Sequence, residues 1–300
     1  MRIIEKGELK WIDILRPTDE DIDFLEKNFD FHPLILEEVR TPTFHPQAES
    51  YKTYLFVILH FPDFNKRAGQ IQSVELDFLI TPKAVVTVRY QDFPDFDVVF
   101  EEMKKNSEEY FNKTTGHVFH HLVKWLFGRT FPELDKIKKS IDEVEHRIFD
   151  EFDDDIIEEI AHIKRQILDF IRALKPQKSA WDEMTDISIE FWGDRIKPYI
   201  SDLIADYNRT LNFTETHREV TDSLHLTSSS LLDNKRNYVI KILTVFTALM
   251  LPLSLFASIY GMNLSYMPLA AHPDTFWWFM GGMIAIIIVT LIWMKKNKWI

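Results

Sequence analysis

The feature of this sequence that most constrains its fold is a long stretch without charge near the C-terminus. Between Lys241 and Asp274 lie 32 residues, and none of them is Asp, Glu, Lys or Arg. Residues 239–260 would form a helix about 33 Å long, which matches the roughly 30 Å hydrocarbon core of a bilayer. Residues 276–294 are a second uncharged run of similar length. The sequence therefore predicts two C-terminal transmembrane helices, joined by an external loop at 261–275.

The remainder of the chain is strongly acidic. The formal net charge is −12 for all 300 residues. Residues 239–300 hold four basic residues and one acid, which leaves a net charge of −15 on residues 1–238. Because a polyanion requires a basic surface, this composition argues against nucleic acid as a partner.

Motif searches give no support for an enzyme. The chain has no cysteine, which excludes thiol catalysis, disulfide scaffolds and thiolate metal sites. It contains no glycine-rich phosphate loop and neither H-E-x-x-H nor G-x-S-x-G. We therefore expect no enzymatic function and no organic cofactor.

Positive charge predicts the orientation of the two transmembrane helices. The flanking basic residues are Lys235, Arg236 and Lys241 at the first helix, and Lys295, Lys296 and Lys298 after the second. The loop at 261–275 contains neither Lys nor Arg. Since Lys and Arg are enriched on the cytoplasmic side, we expect a multi-pass protein of the cell (inner or plasma) membrane with both termini cytoplasmic. Residues 1–6 lack the apolar run of a signal peptide, which agrees with this orientation.

One face of the first predicted transmembrane helix carries polar groups. Steps of three and four residues select Asn237, Ile240, Thr244, Thr247, Leu251, Ser254 and Ser258. Polar side chains in a bilayer are unfavourable unless they face a partner or water. A helix–helix packing seam is one interpretation, because Ser and Thr are common there. The length of the stripe favours an aqueous pore, which two helices per chain cannot enclose, so this interpretation requires a homo-oligomer.

The segment before this helix is predicted to form a long stalk. Residues 199–251 contain neither Gly nor Pro, which predicts a helix about 80 Å long. Its apolar seam is interrupted by Thr210, Thr214, His217, Thr221 and Ser228. These residues suit either a wide, partly hydrated bundle or a helix that packs elsewhere.

The N-terminal third differs from the rest. β-branched and aromatic residues predict strands at Leu9–Ile14, Tyr54–Phe61, Val74–Ile80 and Ala84–Tyr90. Residues 117–192 are predicted to be helical, with a joint at Pro132 where a new helix starts.

The predicted fold class follows from these segments. It is an α+β membrane protein with an N-terminal α/β cytosolic domain at 1–115. A long helical hairpin and the stalk helix occupy 116–238, and two C-terminal transmembrane helices make up a domain at 239–300.

A short motif stands at the outer end of the first predicted transmembrane helix. Gly261, Met262 and Asn263 follow the helix directly, and the chain closes on Lys-Lys-Asn-Lys-Trp-Ile. In this position the chain resembles the CorA family of magnesium channels, whose signature is Gly-Met-Asn at this point of the first of two C-terminal transmembrane helices. The resemblance implies a homopentamer with the first helix lining the pore.

The resemblance also implies a mode of ion selection. A ring of Asn263 side chains would bind hydrated Mg²⁺ through its waters, because Mg²⁺ prefers oxygen ligands and loses water reluctantly. Gly261 would allow a sharp turn, and Met262 would hold the loop by packing. Gating by dewetting is expected at Ile240, Leu243 and Leu251. The implied function is uptake of Mg²⁺, with Co²⁺ or Ni²⁺ as further substrates, driven by the membrane potential and gated by the cytosolic domain.

The sequence departs from the family pattern at two places. Leu269 replaces a Glu that is common in the external loop. In the family, acids at the subunit interface of the cytosolic domain bind regulatory Mg²⁺, and Asp202 matches one of them. Lys52 and Thr53 stand where its acidic partners are expected. We therefore expect a divalent site that is weakened, moved or replaced by a salt bridge between Lys52 and an acid. The nearest alternative acids are Glu49 and Asp77.

Other interpretations remain open at this stage. His117 and His121 have a spacing that would suit zinc, although a third ligand is not evident. The chain would also suit a zinc transporter of the same superfamily, but Met262 favours magnesium because zinc-transporting relatives tend to alter this residue. A non-conducting, membrane-anchored sensor would need neither the polar stripe nor Asn263.

Overall fold

A six-stranded mixed sheet organises the N-terminal part of the chain. The computed structural model describes residues 1–43, 45–65, 70–150, 155–262 and 273–297. The strands are β1 (Arg2–Lys6), β2 (Leu9–Leu15), β3 (Gln47–Ser50), β4 (Leu55–Asn65), β5 (Gln70–Ile80) and β6 (Ala84–Arg89). They lie in the order β1-β2-β6-β5-β4-β3. Strands β2 and β6 are parallel, and all other neighbouring strands are antiparallel.

Two helices lie between the strands in the sequence, and the other helices follow the last strand. Their bounds are α1 (Asp19–Asn28), α2 (Pro33–Glu38), α3 (Pro94–Lys105), α4 (Ser107–Tyr110), α5 (Thr115–Asp150), α6 (Asp155–Leu174), α7 (Lys178–Trp192), α8 (Lys197–Tyr260) and α9 (Pro273–Lys296). Short 3₁₀ turns at Lys175–Gln177 and Asp194–Ile196 flank α7.

Contacts between Cα atoms group the chain into two units. The first comprises residues 1–225 and the second residues 226–300. Helix α8 begins in the first unit and ends in the second. The boundaries predicted at 115/116 and 238/239 stay predictions.

The four predicted strands are confirmed, with small shifts at their ends. Strands β5 and β6 form a hairpin whose turn is closed by the amide of Thr81, which donates to the carbonyl of Ala84 at 2.8 Å. Two short edge strands, β1 and β3, were not predicted. Each is at most five residues long and half exposed, so neither carries the buried hydrophobic run that identifies a central strand.

Each face of the sheet is covered by different helices. Helices α1 and α2 pack on one face around a core that includes Ile22 and Leu25. Helix α1 begins with a capping box, in which the Thr18 hydroxyl accepts from the amide of Asp21 and the Asp21 carboxylate accepts from the amide of Thr18. The opposite face contacts α5 through two aromatic pairs, namely Phe78–Phe119 and Phe61–Phe127. Near the end of β4, Phe64 packs on Phe170 of α6.

The polar seam of α8 packs within its own chain. Thr210, Thr214 and Thr221 are almost fully buried inside the first unit. Each hydroxyl donates to the backbone carbonyl four residues earlier, at 2.7 to 2.8 Å. Of the two interpretations of this seam, packing elsewhere is therefore correct for these residues, because the buried hydroxyl groups are satisfied by the helix itself.

The predicted joint at Pro132 is wrong. Pro132 lies inside α5, which runs without a break from Thr115 to Asp150. Proline lacks an amide hydrogen and crowds the carbonyl four residues earlier. That carbonyl belongs to Gly128. Packing of α5 along the sheet outweighs the local preference for a helix start.

Pro273 is the first residue of α9. At this position its missing amide hydrogen breaks no helical hydrogen bond. Pro252 lies inside α8 without ending it, as proline is tolerated in helices of apolar segments.

The carboxyl group of Asp77 is fully buried in the sheet. Asp77 on β5 accepts a hydrogen bond of 2.6 Å from the Tyr90 hydroxyl through Oδ2. Its Oδ1 is buried with no hydrogen-bond partner among the described residues. Burial raises the pKa of Asp77 well above its ordinary value, and the hydrogen bond from Tyr90 only partly offsets this effect. Asp77 is therefore neutral over a pH range in which exposed aspartates are ionised.

Helix α5 begins close to α7. A Cβ added at Gly116 would lie 2.7 Å from Ile196 Cδ1 and 2.9 Å from Trp192. We expect Gly116→Ala to lower the free energy of unfolding by about 1–3 kcal/mol, because a well-packed site resists an added methyl group. Gly128, in the same helix, has nothing within 4 Å of such a Cβ. Gly128→Ala should instead stabilise the protein by about 0.5–1 kcal/mol. Thermal unfolding followed by circular dichroism separates the two; equal effects would contradict the packing argument.

Asp77 gives a prediction for pH. Because its folded-state pKa is raised, the folded chain keeps a proton that the unfolded chain releases, and this group lowers stability as pH rises above about 4. Asp77→Asn should therefore raise the melting temperature relative to the unsubstituted protein, and more at pH 8 than at pH 5. Asp23→Asn, the same change at an exposed position of α1, is the control. A gain for Asp77→Asn that does not grow with pH would refute this assignment.

Candidate functional site

The second unit holds the candidate membrane segment. In the part of the chain that the structure describes, one helical segment, Asp194–Ile259, contains a stretch long and apolar enough to cross a membrane. This stretch belongs to α8, which ends at Tyr260 as predicted. Helix α9 covers the second predicted transmembrane helix, whose membrane crossing stays a prediction.

The predicted pore-lining residues all lie on α8 and are all exposed in the single chain. They are Asn237, Ile240, Leu243, Thr244, Thr247, Leu251, Ser254 and Ser258. Half-exposed residues, such as Val245, Pro252 and Leu253, lie on a different side of the same helix. The polar stripe is therefore not covered by the other parts of its own chain that the structure describes.

The hydroxyl groups of the threonines in this stripe are hydrogen bonded within α8 and need no acceptor from another helix. The Thr244 hydroxyl donates to the carbonyl of Ile240, and the Thr247 hydroxyl donates to the carbonyl of Leu243, both at 2.8 Å. Each oxygen keeps acceptor capacity after donating its hydrogen. The stripe can thus offer oxygen atoms to water while its hydroxyl hydrogens remain bonded to the helix.

The helix ends at Tyr260, directly before the predicted motif. The Gly261 amide donates to the carbonyl of Ala257 at 2.9 Å, and the Met262 amide donates to that of Ile259 at 3.3 Å. A Cβ on Gly261 would lie 3.0 Å from the Ala257 oxygen, so glycine gives space at this turn. Asn263 and Leu269 lie outside the described residues, and their predicted roles rest on the sequence.

Asp202 is engaged by two side chains of α5. The Lys124 ammonium lies 2.9 Å from Asp202 Oδ1, and His120 Nε2 lies 2.9 Å from Asp202 Oδ2. The same ammonium lies 2.6 Å from Oδ2 of Asp206, one helical turn further along α8. Both oxygens of the Asp202 carboxylate therefore have partners within the chain.

These contacts set the charges of the cluster. Partial burial acts to raise the pKa of Asp202, but the hydrogen bonds with His120 and Lys124 outweigh it and hold that pKa below its ordinary value. Burial acts to lower the pKa of Lys124, but hydrogen bonds to Asp206 and Asp202 raise it above its ordinary value. The carboxylate and the ammonium are both charged at neutral pH.

The other acids proposed for this site lie elsewhere. Asp77 is buried against Tyr90, and Glu49 accepts a hydrogen bond of 2.8 Å from Tyr51. Within the described residues Lys52 forms no ion pair, and no group of three or more His, Asp or Glu is arranged to hold a metal ion. The ion pair made by Asp202 is with Lys124, not with Lys52.

Three histidines near the start of α5, His117, His120 and His121, take part in an aromatic cluster. His117 packs on Tyr199 with ring centroids 4.5 Å apart, and His121 packs on Tyr110 at 5.0 Å. Burial lowers the pKa of both imidazoles, with smaller contributions from nearby positive charge. His117 also bonds to Thr114 through Nδ1 at 2.8 Å. These contacts with aromatic rings and a hydroxyl give each histidine a structural role.

Lys124 was missed at the sequence level. It lies 78 residues before Asp202 in the chain, and nothing in a single sequence pairs the two positions. The only local signal is its place four residues after His120, which puts both side chains on one face of α5.

Comparison with known proteins places the whole chain in one family. The family model "CorA-like Mg2+ transporter protein" matches residues 6–296. The chain is 24% identical to the cobalt/magnesium transport protein CorA of Thermotoga maritima, over 97% of this chain and 83% of that protein. It is 21% identical to the zinc transport protein ZntB of Yersinia pseudotuberculosis, over 97% of this chain and 88% of that protein.

A solved structure has the same fold. The complete structure of the CorA magnesium transporter from Methanocaldococcus jannaschii superposes with a TM-score of 0.80 at 22% sequence identity, covering 99% of this chain and 93% of that one. The expected fold class is thereby confirmed. The extent of the family match, together with the candidate membrane helix, identifies the chain as a member of the CorA-like Mg²⁺ transporter family, a membrane transporter of divalent metal ions and not an enzyme.

Proposed function

We propose that this chain takes up Mg²⁺ as a homopentamer of the cell membrane, with α8 of each subunit lining a central pore. Residues 1–238 form the cytosolic part that gates the pore, and residues 239–300 form the transmembrane part. Both termini are cytoplasmic and the loop at 261–275 is external. Co²⁺ and Ni²⁺ are further substrates of the same pore.

The observation that carries this proposal is the exposed polar stripe on α8. Its oxygen-bearing side chains lie on a segment apolar enough to cross a membrane, where uncovered polar groups are unfavourable. Several copies placed around an axis would give the stripe water to face. A single chain has too few helices to enclose that water, which is why the proposal needs an oligomer.

Ion selection is assigned to the Gly261-Met262-Asn263 turn. A ring of Asn263 carbonyl oxygens can accept hydrogen bonds from the waters around Mg²⁺ without replacing them, which suits an ion that dehydrates reluctantly. The turn that the Gly261 and Met262 amides close at the end of α8 lies directly before Asn263 in the sequence, which supports this assignment. Met262, which is more than half exposed, is available to pack against a neighbouring subunit.

The driving force is the membrane potential. A divalent ion that moves inward gains about 4.6 kcal/mol per 100 mV of inside-negative potential, so no nucleotide is required. Apolar side chains at Ile240, Leu243 and Leu251 interrupt the polar stripe and are the places where the pore can close by dewetting.

A zinc transporter is the second candidate. Similarity to a zinc transport protein over nearly the whole chain makes this alternative concrete. Uptake of Zn²⁺ but not Mg²⁺ by the purified protein in liposomes would favour it, and absence of flux for any divalent ion would favour a non-conducting sensor.

Substitution of Asn263 tests the selectivity ring. Asn263→Ala should reduce Mg²⁺ uptake at least tenfold, because the entrance loses its oxygen ligands, in liposomes that carry an inside-negative potential and a Mg²⁺-sensitive dye. Asn112→Ala, at an exposed position of the first unit, is the matched control and should retain full uptake. Unchanged uptake by Asn263→Ala would rule out this role.

Leu251 tests the gating constriction. Leu251→Ser should increase Mg²⁺ flux several-fold, since a hydroxyl group at this position favours a continuous column of water. Leu253→Ser makes the same change about 200° around the helix axis, on the half-exposed side, and should not increase flux. If both variants behave alike, the stripe does not mark the pore.

A further inference from the structure

The family resemblance implies a regulatory divalent ion at Asp202, and the residues present do not fit one. The position between Asp202 and Asp206 holds the Lys124 ammonium, 2.9 Å from one carboxylate and 2.6 Å from the other. The second oxygen of Asp202 is hydrogen bonded to His120. Lys52 and Thr53, where acidic partners were expected, add no ligand charge.

The cluster has the chemistry of a cation site, and its cation is the ammonium group of Lys124, which belongs to the same chain. Asp202, Asp206 and His120 are ligand types that divalent ions accept. A divalent ion could bridge the two aspartates only if the ammonium left, because two cations at this distance repel each other strongly. The ammonium is covalently tethered and therefore present at high effective concentration. Dissolved Mg²⁺ must also lose some of its water to compete with it.

The position of Lys124 gives this pairing a structural consequence. Lys124 and His120 lie one turn apart on α5, and Asp202 and Asp206 lie one turn apart on α8. The contacts among them connect the N-terminal part of α5 to the beginning of α8. Only 13% of the Asp206 side chain is exposed, so water screens this ion pair less than it would a surface pair.

We propose that Lys124 is a built-in cation that takes the place of a dissociable divalent ion at Asp202 and Asp206. It joins α5 to α8 whatever the cytosolic Mg²⁺ concentration. Its replacement by a neutral residue leaves Asp202 and Asp206 able to hold a divalent cation between them. The consequence for regulation is that cytosolic Mg²⁺ does not inhibit transport by the unsubstituted protein through this cluster. This consequence rests on the proposed function.

Ion counting tests the proposal without reference to transport. Mn²⁺ is the probe, and its binding to the full-length protein in detergent is measured by electron paramagnetic resonance at pH 7.5. The unsubstituted protein and Asp202→Asn should bind equal numbers of Mn²⁺ ions. Lys124→Gln should bind one more ion per chain, and Lys124→Gln/Asp206→Asn should lose that ion again. Lys124→Arg keeps the positive charge and should match the unsubstituted protein.

Two results would overturn the proposal. One is loss of a bound ion in Asp202→Asn, which would show that Asp202 already holds a divalent ion. The other is a folded Lys124→Gln protein with no additional ion. If circular dichroism shows that Lys124→Gln is unfolded, the comparison of the unsubstituted protein with Asp202→Asn decides alone.

Flux measurements test the regulatory consequence. Mg²⁺ on the side of the cytosolic domain should inhibit flux through Lys124→Gln and have a smaller effect on the unsubstituted protein. Equal inhibition of both would overturn the regulatory part. An unsubstituted protein with no flux would count against the proposed function, and the ion counts would still test Lys124 independently.

Discussion

Helix α8 has to keep its backbone groups hydrogen bonded in two different environments along one continuous helix. Its first part is covered by protein within residues 1–225, and its last part is apolar enough for a bilayer. An α-helix meets both conditions because it pairs its backbone groups internally. Threonine hydroxyl groups in both parts donate to carbonyls of the same helix, so they too need no outside acceptor. Helices α5, α6 and α7 contribute to the protein surface that covers its first part.

The sequence was informative wherever structure is decided locally. The central strands and the end of α8 at Tyr260 follow from patterns a few residues long. The polar stripe was also visible, since helical spacing alone defines which residues share a face. An ion-selecting motif at the outer end of the helix was predicted from Gly261, Met262 and Asn263. Asn263 lies outside the described residues, so this role stays a prediction.

Features that depend on tertiary packing were not predictable in this way. Pro132 stays inside α5 because contacts along the whole helix outweigh one lost hydrogen bond. The edge strands β1 and β3 are held by pairing with a neighbour, not by their own hydrophobicity. The partner of Asp202 depends on how α5 lies against α8, and a chain separation of 78 residues hides that pairing from any local pattern.

The threonine seam affects how α8 can move within the first unit. Since the hydroxyl groups of Thr210, Thr214 and Thr221 donate along their own helix, their donated hydrogen bonds do not tie α8 to a neighbouring element. A small rotation or slide of α8 would change dispersion contacts at these positions and leave those hydrogen bonds intact. The threonine seam therefore excludes water and packs against its neighbours, while its donated hydrogen bonds do not oppose a displacement of α8 along its axis.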